Sequence, residues 1–222
     1  MRNWLLGLTA VVLLGLGLAA VARPEGVTIP PPAVDAAFAT PGASSKTAVL
    51  SGGCFWGIQA VYQHVSGVRK AISGYAGGSA STAEYEAVSS GKTGHAESVQ
   101  ISYDPSRITY GQLLRVFFSV AHDPTTLNRQ GPDVGTQYRS VVFFNDAEQE
   151  AIARAYIAQL DQSHVFKKPI VTALTRLPAF YEAEAYHQDY ATRHPADPYI
   201  MMNDAPKVAN LRTFFPDLYV GK

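Results

Sequence analysis

Apolar and polar positions recur with two different periods along this chain, and the switches between them mark out strands and helices. Residues 47–51 form a short apolar run stopped by Gly52-Gly53. Beyond it Phe55, Ile58, Val61, Tyr62 and Val65 recur at the spacing of one helix face, which predicts an amphipathic helix from Cys54 to about Ser66-Gly67. Residues 68–73 read as a second strand, and the glycine- and serine-rich stretch 74–94 as a long loop. Residues 96–103 alternate with period two, so that Glu97, Val99, Ile101 and Tyr103 share one face and a carboxylate sits on an apolar surface. Thr109 can cap a helix running to about His122, ended by Asp123-Pro124, and a second glycine-marked loop follows. Residues 138–144 predict a strand, and Asn145 with Glu148 a capping-box start for a helix to Leu160. Residues 169–175 predict a further strand and 182–191 a last short helix.

The first six elements make a βαββαβ unit. A doubly wound sheet needs a helix between the second and third strands, so this order predicts an α/β (α+β) two-layer sandwich with a mixed sheet and a ferredoxin-like core. The domain is expected over 46–200, followed by a C-terminal extension, 201–222. Ahead of it, the residues between Arg2 and Arg23 are apolar or small from Trp4 to Ala22. They read as an export signal with a small-x-small cleavage site at Ala20-Val21-Ala22, or as a retained single membrane anchor. Either implies an exported, periplasmic protein. Residues 23–45 hold Pro24, Pro30, Pro31, Pro32 and Pro41 with Phe38 as the one aromatic, and are expected to be a disordered tether.

Composition narrows the chemistry. The chain of 222 residues carries 18 basic and 18 acidic side chains without a basic stripe, so the footprint of a nucleic-acid binder is missing. None of the six histidines stands at metal-site spacing, and neither metal nor cofactor is implied. With a single cysteine no internal disulfide is possible. In an oxidising compartment a lone thiol is either buried and inert or kept for reactivity, and the count alone leaves both open.

Local context favours reactivity. Cys54 follows paired glycines at a helix start, where unpaired backbone N–H groups and the positive end of the helix dipole favour a thiolate and a depressed thiol pKa. Phe55 and Trp56 point roughly 100 degrees apart on a helix, so one ring must leave the core and could wall a pocket for a small apolar group. Glu97, desolvated on its apolar face, would hold its proton near neutral pH. Its bland alternatives are a place in water past the sheet edge or pairing with an arginine. A papain-type peptidase would need a cysteine where Ser51 stands.

The run Gly52-Gly53-Cys54-Phe55-Trp56-Gly57 resembles the signature of the type A peptide methionine sulfoxide reductases. Tyr85-Glu86, the segment Gly91-Lys92-Thr93-Gly94-His95-Ala96-Glu97, the run from Gln130 to Ser140, Phe180-Tyr181 and Tyr186-His187-Gln188 match in order, over roughly Lys46 to Tyr199. The resemblance implies a two-layer α/β plait that reduces methionine S-sulfoxide, free or in proteins. It makes Cys54 the nucleophile and Glu97 the acid. Tyr85 and Tyr138 would hydrogen-bond the sulfoxide oxygen, Phe55 and Trp56 hold the methyl group, and Asp133 line the site. Pro132 stands where the family has asparagine, and the C-terminal resolving cysteines of many members are absent. A monomer recycled by a small thiol or a thioredoxin-like or glutaredoxin-like partner is therefore expected. The rivals are a thiol hydrolase or peroxidase using the same Cys54, and a tethered binding domain with an inert thiol.

Overall fold

The apolar run that opens the domain is strand β1 (Lys46–Ser51), which lies inside the sheet with a neighbour on each edge and is apolar because both of its faces are covered as well. Ala48 and Leu50 face the main core, whereas Val49 faces a smaller cluster with Ala76, Ala96, Val141 and Phe143. The computed structural model of the protein describes residues 26–221. The expected export signal or anchor at 1–22 lies outside them, and no helix among the described residues is long and apolar enough to cross a membrane.

The remaining strands are β2 (Val68–Ala76), β3 (Ala96–Tyr103), the two-residue β4 (Arg129–Gln130) and β5 (Asp133–Val134), β6 (Val141–Phe144), β7 (Ala173–Arg176) and β8 (Phe180–Glu182). The main sheet has the order β7-β6-β1-β3-β2-β8. β1 runs antiparallel to β3 and β6, β2 runs antiparallel to β3 and β8, and β6 and β7 are parallel. The fold is thus a mixed sheet with helices packed on it. Helix α1 (Phe55–Gln63) buries Ile58, Val61 and Tyr62, and the Tyr62 hydroxyl donates to the carbonyl of Leu113 on α3 (Tyr110–Val116). Thr109 and Gln112 close a capping box at the start of α3, which runs on as a π-helical turn, Phe117–Ala121.

Several expectations shift. Helix α4 (Ala147–Gln162) is capped by Asp146, whose carboxylate accepts from the Gln149 N–H, rather than by Asn145. Asn145 lies one residue outside, donating its own N–H to Gln149 Oε1. The long loop 74–94 contains the end of β2 and a short helix, α2 (Tyr85–Ser89). The last expected helix divides into β8, a 3-10 turn (Ala185–His187) and one turn of helix, α5 (Tyr190–Arg193), because Phe180–Glu182 completes the free edge of β2.

The expected tether does not hang free over its described part. Ile29 is inserted into the core, Asp35 accepts from the Thr109 hydroxyl and the Gly111 N–H, and the Arg115 guanidinium and Tyr156 hydroxyl donate to the carbonyls of Ile29 and Pro30. Prolines suit such a strap: they hold the chain extended and leave few N–H groups to satisfy. At the other end, the stretch expected as an extension forms a π-helical turn (Ile200–Asp204) and α6 (Ala205–Phe214), and buries Leu211.

Candidate active site

The turn between β1 and α1 explains its glycines by close approach. Gly53 has φ +96°, and a Cβ there would stand 2.5 Å from Gln130 Cγ; at Gly52 it would stand 2.7 Å from the ring of His122. The glycines admit protein side chains, not an incoming ligand. His122 fills its place as a buried neutral ring, with Nε2 2.7 Å from Ser140 Oγ, and burial holds its pKa down at about 4. Cys54 is the N-cap of α1 and is 8 % exposed.

Glu97 enters from β3. Its Oε2 accepts the Phe55 N–H at 3.0 Å, so this carboxyl takes one of the donors that the helix start leaves free. Glu97 is buried, and desolvation raises its pKa from the ordinary 4.5 to about 8, the charges of Asp133 and Asp204 adding to the rise against the Phe55 hydrogen bond. Neither bland alternative holds: it is not in water, and it accepts from a backbone N–H rather than from an arginine. The expectation for Cys54 is overturned. Burial above all, then the charges of Glu97 and Asp204, pushes the thiol well above its usual value, against the Trp56 N–H and Lys207. The helix start is too weak to outweigh desolvation, so the resting sulfur is a thiol.

Around the sulfur stands a box of rings. Phe55 is the inner of the two aromatic neighbours, fully buried, 5.9 Å from the ring of Tyr75. Trp56 is the outer one, stacked on Tyr190 at 3.8 Å and meeting Tyr199 edge-on at 6.0 Å. Its indole N–H donates to His187 Nδ1 at 3.2 Å, and His187 Nε2 is buried without a hydrogen-bond partner among the described residues. The Tyr85 ring lies 4.4 Å from His187, and the Tyr85 N–H is held by Glu184 Oε1. Tyr138, in a 3-10 turn (Thr136–Tyr138), has its phenol pKa raised by burial and then by Glu97, Asp133 and Cys54, which places it beside them. Asp133 Oδ2 accepts from the Tyr199 hydroxyl at 2.5 Å. Asp133 opens β5, joined to β4 through Gly131 (φ +55°) and Pro132, so the hairpin with proline still presents Asp133 to the site.

All seven residues singled out from the sequence come together here. Sequence reading missed what lies under them. Lys207 Nζ donates to Asp204 Oδ1 at 3.0 Å, both groups are buried, and Lys207 is the one buried lysine or arginine among the described residues. The pair presses on α1 at Gly57, where a Cβ would stand 2.1 Å from Asp204 Oδ1. The available signal was Gly57 itself, a glycine in a helix where alanine is better by about 1 kcal/mol. Tyr190 and Tyr199 carried no local mark. No group of residues that could hold a metal ion occurs among the described residues.

A buried thiol and a buried, protonated carboxyl side by side are the groups found in cysteine-dependent enzymes with an acid partner. The family model for peptide methionine sulfoxide reductase matches residues 46–217, and the chain belongs to that family. It is an oxidoreductase that returns methionine sulfoxide to methionine, a reaction of protein repair. A relative in Mesorhizobium japonicum, peptide methionine sulfoxide reductase MsrA 2, is 59 % identical over 83 % of this chain and 93 % of its own. One of the same name in Synechocystis is 47 % identical over 87 % and 91 %. Among solved structures, reduced Mxr1 from Saccharomyces cerevisiae superposes with a TM-score of 0.62 at 36 % identity, covering 69 % of this chain and 88 % of its own. The family match runs to 217 and so takes in α6.

Proposed function

We propose that Cys54 is the nucleophile and Glu97 the proton donor in the reduction of methionine S-sulfoxide, protein-bound or free. The observation that carries this reading is the buried Glu97 carboxyl on the Phe55 N–H, one residue from the thiol and protonated near neutral pH. The Cys54 sulfur attacks the sulfoxide sulfur while Glu97 gives its proton to the oxygen, and the thiol proton replaces it on Glu97. The sulfur–sulfur bond made by the attack and the original S–O bond then break as the hydroxyl passes to the Cys54 sulfur, which leaves Cys54 as a sulfenic acid and releases methionine as the sulfide. One thiol and one sulfoxide thus become one sulfenic acid and one sulfide, a two-electron exchange between the sulfurs. The Tyr85 and Tyr138 hydroxyls hydrogen-bond the oxygen. Trp56, backed by Phe55, holds the methyl group, and Asp133 orders the wall through Tyr199.

Every group in this scheme comes from one chain, so a monomer suffices. With no second cysteine, the sulfenic acid is reduced from outside, by a small thiol or a thioredoxin-like or glutaredoxin-like protein. The apolar stretch 4–22 supports an export signal or anchor, and hence a reductant in the periplasm. The order β6-β1-β3-β2, each neighbour antiparallel, supports a ferredoxin-like reading of the four central strands, with β7 and β8 added at the edges. Mass spectrometry after mixing protein and a methionine sulfoxide peptide tests the chemistry. One oxygen should leave the peptide and appear on Cys54; a hydrolase, a peroxidase or an inert binding domain would leave the peptide oxidised.

A further inference from the structure

Behind the Gly52-Gly53 turn lies a cavity of about 690 Å³ to which none of these steps assigns a use. Its walls include the β4–β5 hairpin from Gln130 to Asp133, the stretch from Val165 to Lys168, Val27 of the strap and Tyr199. The volume falls within the roughly 300–1,000 Å³ of sites that hold small molecules or short segments of chain.

The cavity shares Asp133 and Tyr199 with the wall of the reaction site. Gln130 lies against Gly53, and the hydrogen bond between Asp133 and Tyr199 ends at a ring that meets Trp56. A chain whose methionine sulfoxide sits on Trp56 has this cavity beside it. The wall is half-apolar, with Val27, Val120 and Phe166 among the lining residues. Its acidic members are engaged: Asp123 accepts from the Thr125 N–H and hydroxyl, and Asp133 accepts from Tyr199. Lys207 at the inner end is tied to Asp204. Lys167 and Lys168 are exposed at the mouth, and among the described residues neither has a hydrogen bond or an ion pair. Of the lysines in the lining, Lys167 and Lys168 are therefore the two left to pair with a carboxylate.

We propose that this cavity binds the stretch of substrate polypeptide next to the oxidised methionine, and that Lys167 and Lys168 select acidic side chains in that stretch. The inference rests on the reading of Cys54 and Trp56 as the reaction site, and it names the substrates preferred there. Exposed lysine–carboxylate contacts are individually weak, so the two together should favour acidic flanks by about three- to tenfold in kcat/KM, mostly through KM. The preference should fade as salt rises, because the lysines are solvent-exposed.

The test measures kcat/KM of the full chain on methionine sulfoxide peptides with acidic, neutral or basic flanks, with N-acetylmethionine sulfoxide as the substrate that lacks flanks. The wild type should prefer acidic peptides at low salt, Lys167→Gln with Lys168→Gln should erase the preference, and Lys167→Glu with Lys168→Glu should invert it. The N-acetyl compound should be reduced equally by all three. An unchanged preference in both variants overturns the proposal. So does an equal loss on the N-acetyl compound, which means a general disturbance of the site, and so does a shift confined to the KM of the thiol reductant, which gives the cavity to that partner. Failure of the wild type to reduce any of these sulfoxides would instead sink the reading of the reaction site.

Discussion

Replacing Glu97 by glutamine should cripple the enzyme and stabilise it, and the second effect should depend on pH. In the folded protein Glu97 keeps its proton up to about pH 8, whereas an exposed glutamate loses it near the ordinary 4.5. Between those values the folded state binds more protons than the unfolded state, so the contribution of Glu97 to stability falls as pH rises. The gap of 4.5 to about 8, at about 1.36 kcal/mol per pH unit, corresponds to a cost approaching about 5 kcal/mol once the pH exceeds 8. Glutamine has the same shape, its carbonyl can accept the Phe55 N–H, and it does not titrate. Urea unfolding of both proteins should give nearly equal stabilities at pH 4, with the variant ahead by several kcal/mol at pH 9. Single-turnover reduction should meanwhile slow by about 10² to 10⁴, the usual worth of a general acid. A stability difference that does not change with pH, or a wild type more stable at pH 9, would refute the buried, protonated Glu97.

Cys54→Ser should leave unfolding almost unchanged and abolish oxygen transfer; residual turnover by that variant would end the assignment of the nucleophile. The single-turnover rate of the wild type should decline as pH rises through about 8, when Glu97 loses its proton; a rate that climbs with pH would mean that thiol ionisation governs the step. Gly57→Ala gains about 1 kcal/mol of helix preference but drives a Cβ into Asp204, and breaking a buried ion pair costs about 3–5 kcal/mol. Thermal melting should show a net loss, and a stabilised variant would mean that the pair does not press on α1. Ile29→Ala should cost about 2–5 kcal/mol, as for other buried aliphatic side chains, whereas a free tether would show no loss by the same measurement.

What could be read in the sequence was what is local. The faces of α1 and α3, the alternation of β3 and the cap at Thr109 depend on residues within one or two turns of each other, and they stand where the pattern put them. The edge strand β7 was expected over 169–175 and stands a little later, whereas β8 is only three residues long and exists because β2 offers an unpaired edge, which no short window of sequence displays. The strap failed for a similar reason. Its apolar content is low, but Ile29 needs only a slot between α3 and α4, and side chains more than seventy positions away satisfy its carbonyls. Within the site, the place of Cys54 at a helix start and of Glu97 on an apolar strand face were legible from their own neighbours. The Asp204–Lys207 floor was not, because its counterpart in the sequence is a glycine well over a hundred residues earlier.

The ionisation of Cys54 is the instructive miss, since its local signal was sound and lost to a tertiary effect. A helix start contributes about 0.3–1 kcal/mol to a nearby negative charge, less than one pH unit's worth, whereas burial of the sulfur beside Glu97 and Asp204 acts against the thiolate more strongly. The outcome suits a chain with one cysteine. A thiolate held ready would react with any oxidant that reached it, and no second thiol in this chain could rescue the product. A neutral thiol beside a neutral carboxylic acid holds both protons that the reaction moves, so the sulfoxide can be reduced with none taken from solvent. The aromatic box brings the reacting sulfur to them, and on this reading it is the arrival of a sulfoxide between Trp56 and Glu97, not a standing charge on Cys54, that sets the reaction going.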